Sequence, residues 1–291
     1  MHSFKNTLKL LRIPFSILLM PLFLFALSQE PHIRYPLAII SFFIIHLLVY
    51  PASNGYNSYI DKDTDSIGGL EHPPQPTKTL FYLTVLLDTL AVCLSAFFIS
   101  YKFAWCILLY ILASKAYSSR QLRLKKYPFT GFLIVVIFQG AFTFYMSGIG
   151  ISGHAIPLNQ SGLFILLACS LQIAGAYPLT QIYQHRQDAK DGVISLSARL
   201  GYKGTFLFTM SMFLLCNVFY YLYFNNIKNE GNFYMIQLFF LPIVIYFAYW
   251  FYLVLKDTKH ADFKHTMVMN WIAAICMNTC FIVLFFMNHR L

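Results

Sequence analysis

The residues best suited to chemistry in this sequence are three aspartates within five positions, Asp61, Asp63 and Asp65. The whole chain of 291 residues has only 11 acidic residues, so negative charge is concentrated here. If this stretch is helical, Asn57, Asp61 and Asp65 recur every four residues and share one face. Like charges on one face repel each other, so we expect a cation against them.

A second stretch, which begins at Tyr177-Pro178, repeats the pattern of the first, which begins at Tyr50-Pro51. The register that aligns the two Tyr-Pro pairs also aligns Gln181 with Asn54, Tyr183 with Tyr56, Gln184 with Asn57 and Asp188 with Asp61. Four predicted membrane spans separate the two stretches, so both emerge on the same face. We interpret them as an internal duplication, and repeats in membrane bundles often place a site at their interface.

The paired carboxylates indicate a metal site. Two facing copies would surround a shared space with Asp61, Asp65 and Asp188, and with Asp191 close by. Hard carboxylate oxygens without histidine or cysteine partners suit Mg²⁺. Mg²⁺ prefers a few carboxylates together with water and substrate phosphates. We therefore expect Mg²⁺ as cofactor, with Asp61 and Asp188 as the matched catalytic pair.

Basic and amide side chains near these carboxylates could hold a diphosphate. Arg123 and Lys125 lie in the loop after predicted span four, and Lys190 lies in the second stretch. Such cations bind phosphate oxygens through charge-assisted hydrogen bonds, and we place the amides of Asn57 and Gln184 with them. The alternative interpretation is that acidic helix ends merely balance a basic inner face.

The composition places these residues in a membrane protein. Hydrophobic residues make up 58% of the chain, charged residues 11%, and the mean hydropathy is +0.60, whereas a soluble domain keeps about a quarter of its residues charged. Apolar runs of spanning length, roughly 17–25 residues, occur near residues 13–30, 36–56, 79–99, 103–119, 129–150, 161–183, 205–224, 233–255 and 264–288. We predict an all-α bundle of about nine transmembrane helices, a single domain over residues 1–291.

The net charge of +10 reflects topology rather than nucleic-acid binding. With the N-terminus inside, most lysines and arginines fall in the inner segments, as the positive-inside rule predicts. We expect an integral protein of a bacterial cytoplasmic membrane, with the aspartate motifs on the cytoplasmic side. The basic inner loop at residues 256–265 is interpreted as solvated charge. The six cysteines form no CxxC pair, so they indicate neither a disulfide framework nor a zinc site.

One carboxylate, Asp88, lies near the middle of predicted span three. An acidic residue at that depth is a functional hypothesis by default. The alternative is a protonated or hydrogen-bonded side chain that faces the bundle, toward Lys115 on the next span. Asp88 lies too deep to join a site at the inner surface easily.

At these residues the sequence resembles the UbiA-type superfamily of intramembrane prenyltransferases. The segment from Asn57 to Asp65, NSYIDKDTD, resembles the family's first motif, NDxxDxxxD. The segment from Tyr117 to Pro128 resembles its central basic loop. The segment QHRQDAKDG at residues 184–192, which continues to Ser195, resembles its second motif, DxxxD followed by Lys, Gly and Ser.

The resemblance implies nine helices around a central cavity whose cytoplasmic mouth carries the aspartate motifs. It also implies Mg²⁺-assisted loss of diphosphate from an isoprenyl diphosphate and attack of an acceptor on the allylic cation. By position, the family's metal-binding carboxylates correspond to Asp61, Asp65 and Asp188. The leading asparagine of the family's first motif corresponds to Asn57. The cations that hold the diphosphate correspond to Arg123, Lys125 and Lys190.

The sequence departs from the family pattern at three positions. Ser58 replaces an aspartate in the first motif, Gln184 replaces the first aspartate of the second motif, and His72 precedes a proline where arginine is common. Asp63 and Asp191 supply negative charge nearby but do not occupy the lost position. On a regular helix Asp63 would face elsewhere.

Three tyrosines, Tyr56, Tyr117 and Tyr183, are candidates to stabilise the carbocation through their ring faces. Packing is the alternative for each of them, because the chain has 20 Tyr and 30 Phe residues. We expect Mg²⁺-dependent transfer of a prenyl group from a prenyl diphosphate to a hydrophobic acceptor, aromatic or lipid, within the bilayer. Alternatives are a membrane terpene cyclase or another diphosphate-dependent transferase of the same fold. A cation-coupled transporter is a further alternative, for which only Asp88 has the expected depth.

Overall fold

The computed structural model describes residues 2–289 as a bundle of helices. The α-helices are α1 (His2–Leu10), α2 (Pro21–Gln29), α3 (Tyr35–Phe43), α4 (Tyr50–Asp61), α5 (Lys78–Phe98), α6 (Tyr101–Ser118), α7 (Pro128–Val136), α8 (Thr143–Ser152), α9 (Gln160–Gln181), α10 (His185–Lys190), α11 (Leu196–Asn226), α12 (Glu230–Lys256) and α13 (Phe263–His289). Short 3₁₀ segments occur at Ile13–Leu19, Leu124–Lys126 and Thr258–His260, and π-helical segments at Ile44–Val49 and Ile137–Phe142. The predicted all-α membrane bundle is confirmed.

Within residues 2–289, 8 helical segments are long and apolar enough to cross a membrane. They are Phe4–Gln29, Tyr35–Asp61, Lys78–Phe98, Pro128–Ser152, Gln160–Gln181, Leu196–Asn226, Glu230–Lys256 and Phe263–His289. The predicted span near residues 103–119 is present as α6, which packs against α4, α5 and α8. Its 18 residues include Lys102 and Lys115, and it is not among the 8 apolar segments.

Prolines and one left-handed residue interrupt the first two spans. Arg12 has φ 50°, and it separates α1 from the 3₁₀ segment, whose first turn contains Pro14. Pro51 is the second residue of α4, directly after a π-helical segment. Proline cannot donate a backbone hydrogen bond to the preceding turn, so the helix widens or breaks there. The break at Arg12 places a basic side chain inside the bundle.

The span formed by α7 and α8 bends at Gly140, which has φ −94° and ψ −107°. A Cβ atom at Gly140 would lie 2.6 Å from the Cα of Ser170 in α9. Real Cβ contacts of that length essentially do not occur, so only glycine allows the two backbones to pack this closely. This contact sets the position of α9, which leads into the second aspartate stretch.

Aromatic side chains fill the half of the bundle farther from the aspartates. Phe25 of α2 stacks on Phe281 of α13 with ring centroids 4.5 Å apart, and it contacts Phe144 and Tyr220 at 5.2 and 5.5 Å. All four side chains are buried. Tight packing at this end leaves the opposite half of the bundle to hold a cavity.

The intramembrane carboxylate is neutralised by a neighbouring helix. Asp88 of α5 forms an ion pair of 2.7 Å with Lys115 of α6, and the Lys115 ammonium lies 3.9 Å from the ring centroid of Tyr56 in α4. This is the pairing that the bundle-facing interpretation of Asp88 predicts. The contact joins three helices and lies outside the central cavity.

Candidate active site

The central cavity has a volume of about 360 Å³ and is lined by side chains from both aspartate stretches and the central basic loop. Its mouth contains carboxylates, amides and cations, and its deeper wall contains aromatic and aliphatic side chains such as Tyr50, Tyr110, Phe138 and Met277. Such a pocket accommodates a molecule with a charged head and an apolar tail. The place where each helix or turn ends determines the position of its side chains at the mouth.

In the first stretch, α4 ends at Asp61 because Lys62 adopts a left-handed conformation with φ 54°. The chain then turns, so the helical alignment that we expected for Asn57, Asp61 and Asp65 is wrong beyond Asp61. Asp63, which we expected to face elsewhere, lines the cavity, whereas Asp65 is exposed and does not line it. Residues other than glycine rarely adopt this left-handed backbone conformation, and nothing in the sequence around Lys62 predicts it.

Asp61 is an enclosed carboxylate of the mouth, with a side chain that is 5% exposed. Its Oδ2 accepts a hydrogen bond from Nζ of Lys125. Its Oδ1 is buried and has no hydrogen-bond partner. A buried carboxylate oxygen without a partner is costly, and it is the kind of atom that a bound cation would satisfy.

Asp63 contacts the second stretch directly. Gln187 Nε2 donates a hydrogen bond of 2.5 Å to Asp63 Oδ1. Burial raises the pKa of Asp63 to about 6, and the Asp61 carboxylate adds to the shift. Gln184, which also lines the cavity, donates from Nε2 to the Ser66 carbonyl oxygen at 3.4 Å. The two stretches therefore meet through amide side chains of the second.

In the second stretch, α9 ends at Gln181 and the chain turns into the short helix α10, which carries Asp188. Asp188 lines the cavity with Asp61 and Asp63. Burial raises the pKa of Asp188 to about 7, since the opposing effect of Lys125 is smaller and the other carboxylates add to the shift. The structure thus brings three carboxylates from two distant parts of the chain into one cavity.

The central basic loop bridges the two stretches. Lys125 bonds to Asp61 of the first, and Arg123 Nη2 donates to Asp191 Oδ2 of the second at 2.9 Å. Arg120 adds a hydrogen bond of 3.0 Å to the Ile60 carbonyl oxygen at the end of α4. Arg123 has φ 42°, which ends the turn before the 3₁₀ segment and presents Lys125 to the mouth.

Two predicted residues lie at the edge of the site or beyond it. Asp191 is exposed but lines the outer part of the cavity, where it pairs with Arg123. Lys190 is exposed and does not line the cavity. Lys190 lies two residues after Asp188 on α10, so the two side chains point to opposite faces of this helix.

The three predicted tyrosines occupy different places. Tyr117 lines the cavity and shares a hydrogen bond with Tyr177, whose hydroxyl also accepts from Gln181 Nε2 at 3.0 Å. Tyr183 lines the mouth, and burial raises the pKa of its hydroxyl. Tyr56 does not line the cavity, because its ring faces the Lys115 ammonium instead.

Asn57 is held toward the cavity by a polar contact between α4 and α6. Its Nδ2 donates to Ser118 Oγ at 2.9 Å. One turn earlier, the hydroxyls of Ser53 and Ser114 lie 2.5 Å apart. These small polar pairs allow close helix packing in a membrane bundle, and they orient the amide of Asn57 before any ligand binds.

Sequence reasoning missed Arg12 as a site residue and counted it with the inner-surface charges. Its side chain lines the cavity and is 8% exposed. It donates from Nη1 to the Gly68 carbonyl oxygen at 3.1 Å and from Nη2 to the Asn54 carbonyl oxygen at 3.2 Å. Arg12 therefore holds the loop that follows the first aspartate stretch against α4. The only sequence signal was a basic residue directly before the first long apolar run.

The residues at the mouth fit a Mg²⁺ ion. Asp61, Asp63 and Asp188 offer carboxylate oxygens, and the described residues that line the cavity include no histidine or cysteine. Asp61 Oδ1 has no hydrogen-bond partner, and burial disfavours the ionised forms of Asp63 and Asp188, so a bound cation would stabilise all three carboxylates. Hard oxygen donors of this kind suit Mg²⁺.

A model of the UbiA prenyltransferase family matches residues 18–288. The chain belongs to the UbiA prenyltransferase family, as the motif resemblance predicted. Together with the apolar helices, this membership makes the chain an integral membrane protein of a prenyltransferase class. Among curated proteins, no relative matches the chain significantly.

Solved structures support the same fold. A UbiA homologue from Archaeoglobus fulgidus, solved with DMAPP and Mg²⁺, is 16% identical with a TM-score of 0.71, and the match covers 96% of this chain and 99% of that one. An apo UbiA homologue from Aeropyrum pernix K1 is 16% identical with a TM-score of 0.69, over 93% and 98%. A structure described for digeranylgeranylglyceryl phosphate synthase is 21% identical with a TM-score of 0.63, over 100% of both chains. At these identities the likeness shows the fold.

Proposed function

We propose that this protein transfers an isoprenyl group from a prenyl diphosphate to a hydrophobic acceptor, in a Mg²⁺-dependent reaction within the bilayer. The observation that carries the proposal is the convergence of Asp61, Asp63 and Asp188 with Lys125 at the mouth of an aromatic-lined cavity. The mouth suits a diphosphate with its metal, and the deeper wall suits a prenyl chain. The Archaeoglobus fulgidus homologue of the same fold was solved with DMAPP and Mg²⁺.

The carboxylates of Asp61, Asp63 and Asp188 would hold Mg²⁺, with Asp191 at the outer edge. When bound, the metal supplies positive charge that neutralises diphosphate as a leaving group. Asp65 lies outside the cavity in this structure, so its proposed role as a ligand requires the loop after Lys62 to move inward.

The basic side chains would bind the phosphate oxygens. Lys125 and Arg123 pair with carboxylates of the two stretches. When substrate binds, these two cations would pair with diphosphate oxygens instead, and Mg²⁺ would neutralise the carboxylates that they leave. Asn57 and Gln184 are placed to donate amide hydrogen bonds at the mouth. Lys190 is exposed, so we propose that it attracts the anionic substrate as it approaches the mouth.

The reaction itself breaks the allylic C–O bond, and the electron pair leaves with the diphosphate. The acceptor nucleophile then bonds to the allylic carbon and loses a proton. The partly buried ring of Tyr117, with the nearby aromatic wall, can stabilise the cation through its face. An enclosed apolar wall also excludes the water that would otherwise capture the cation.

The acidic mouth and the basic loops share one end of the bundle, which we propose is the cytoplasmic side of a bacterial inner membrane. The lysines and arginines of the loops near the mouth agree with the positive-inside rule. A water-soluble diphosphate would then enter from the cytoplasm, and a hydrophobic acceptor would enter from the bilayer.

The test uses purified full-length protein and a labelled prenyl diphosphate. We expect Asp61→Asn and Asp188→Asn each to lower Mg²⁺-dependent diphosphate release at least about 100-fold, since each removes a charge at the centre of the mouth. Glu71→Gln removes an exposed carboxylate outside the cavity and serves as the matched control. Full activity of either aspartate variant would refute the proposal.

A further inference from the structure

A second cluster of metal-ligating side chains lies in the connection between α12 and α13, outside the central cavity. His260, Asp262 and His265 each offer one ligand atom, and these atoms lie within 4.8 Å of one another. All three side chains are partly buried. Lys256, Asp257, Lys259 and Lys264 are exposed, in agreement with the interpretation of this loop as solvated charge, but that interpretation did not anticipate the cluster.

The fold fixes this cluster before any ion binds. Asp262 caps α13, because its Oδ1 accepts from the backbone N–H of His265 at 2.8 Å, and the same oxygen lies 2.9 Å from Nδ1 of His265. Trp250 Nε1 donates to the His260 carbonyl oxygen at 2.7 Å, and its ring lies parallel to that of His265 at 6.4 Å. A cluster held at both ends loses little conformational entropy when it binds a ligand.

The donor set indicates which ion would bind. Two imidazoles and one carboxylate suit Zn²⁺ and related first-row transition metals, whereas Mg²⁺ prefers oxygen ligands alone. Zn²⁺ bonds of about 2.0–2.2 Å require ligand atoms roughly 3.3 Å apart. Asp262 Oδ1 and His265 Nδ1 lie 2.9 Å apart in a hydrogen bond, and all three ligand atoms lie within 4.8 Å of one another. Binding would therefore replace this hydrogen bond with bonds to the ion and would need only side-chain adjustments of a few tenths of an ångström to about 1.5 Å. The chemistry thus differs from that of the all-carboxylate mouth.

The cluster is adjacent to the active-site mouth. Phe263, the residue after Asp262, packs edge-on against Tyr183 with ring centroids 5.3 Å apart, and Tyr183 lines the central cavity. A second cavity of about 420 Å³ is lined by Asp262 and Phe263 on one side and by Tyr183 and Asp65 on the other. An ion at this cluster would fix the start of α13 beside the mouth.

We propose that His260, Asp262 and His265 form a second metal site, selective for a divalent transition metal such as Zn²⁺, which pins the α12–α13 connection beside the mouth of the active site. The site is independent of the carboxylates that we assign to Mg²⁺. Its existence therefore does not depend on the proposed reaction.

The test measures Zn²⁺ binding to tag-free full-length protein by competition with a chromogenic chelator, with excess Mg²⁺ to occupy the carboxylate mouth. We expect one tightly bound Zn²⁺ per chain. Asp262→Asn keeps a residue that caps helices well but removes the charged ligand, and His265→Gln removes an imidazole. Loss of even an outer-shell partner costs about 10–100-fold in metal affinity, so each variant should lose at least about tenfold.

Two control variants separate this site from other sources of binding. Asp61→Asn combined with Asp188→Asn removes two of the three central mouth carboxylates and should leave the Zn²⁺ affinity unchanged. His72→Gln removes an exposed histidine elsewhere in the loops and should also leave it unchanged. Bound Co²⁺ should show visible absorption bands that disappear in the Asp262 and His265 variants, whose helical content is checked by circular dichroism.

The opposite pattern would overturn the proposal. If the wild-type protein binds no Zn²⁺ when Mg²⁺ is in excess, or if Asp262→Asn binds as tightly as wild type, the cluster is a helix cap with a hydrogen-bonded histidine and no more. If the mouth variants alone abolish binding, the Zn²⁺ belongs to the active site. None of these results tests the proposed transferase function, which the diphosphate-release experiment tests separately.

Discussion

Mg²⁺ binding should depend strongly on pH, because two carboxylates of the mouth titrate near neutrality in the metal-free protein. The pKa is about 6 for Asp63 and about 7 for Asp188, and burial is the main cause in both. Mg²⁺ binds the ionised carboxylates, so protons compete with the metal at low pH. The apparent Mg²⁺ affinity should therefore rise as the pH rises from 6 to 8 and then level off.

The magnitude follows from the two pKa values. At pH 6 about half of the Asp63 carboxyls and about nine-tenths of the Asp188 carboxyls are protonated, which weakens Mg²⁺ binding about twentyfold. At pH 8 proton competition weakens Mg²⁺ binding by only about 1.1-fold. The raised pKa values also make the metal-free protein less stable as the pH rises from 4 to 7, because the native state then holds protons that the unfolded chain has lost.

The assay is calorimetric titration of Mg²⁺ into detergent-solubilised protein at pH 6, 7 and 8, in pairs of buffers with different ionisation enthalpies. Binding at pH 6 should release between one and two protons, and Asp63→Asn should lower this number by about half a proton. Glu71→Gln should not change it. A Mg²⁺ affinity that stays within about twofold from pH 6 to pH 8, without proton release, would refute the reasoning.

Three further predictions concern the scaffold and are checked by thermal unfolding in detergent or by limited proteolysis. Asp88→Asn should lower the Tm by several degrees because it leaves the partly buried Lys115 without its ion-pair partner, and Asp88→Asn with Lys115→Met should recover part of the loss. A single variant as stable as wild type would contradict this. Gly140→Ala should also lower the Tm, since its Cβ would lie 2.6 Å from the Ser170 backbone, and an unchanged Tm would show that the helices separate freely. Arg12→Gln should make the loop at residues 66–70 more sensitive to protease without abolishing folding, and equal cleavage rates would show that its two hydrogen bonds do not restrain the loop.

The sequence predicted the fold class and the convergence of the two stretches because these depend on strong, regular signals. Apolar runs of spanning length define the helices, and the alignment of Asp188 with Asp61 predicts that both reach the same face. The structure places both aspartates in one cavity. Arg123 and Lys125, which were expected from the central loop, contact the two stretches directly.

The details that sequence reasoning missed depend on single backbone conformations. Lys62 ends α4 in a left-handed conformation that a lysine rarely adopts, so the positions of Asp63 and Asp65 could not follow from helical spacing. Arg12 reaches the cavity only because the first span breaks at its own left-handed backbone. The half-buried cluster at His260 depends on how α12 and α13 meet, which local composition does not encode.

The most direct test of the central claim is incubation of the purified protein with a labelled prenyl diphosphate and extracted membrane lipids, with Mg²⁺ or with a chelator. Mass spectrometry then compares the products, and released diphosphate is measured in parallel. The account predicts a new lipid-phase product, heavier than its acceptor by one prenyl group, in an amount equal to the diphosphate released and only with Mg²⁺. Diphosphate release without such a product, or equal release with the chelator, would contradict it.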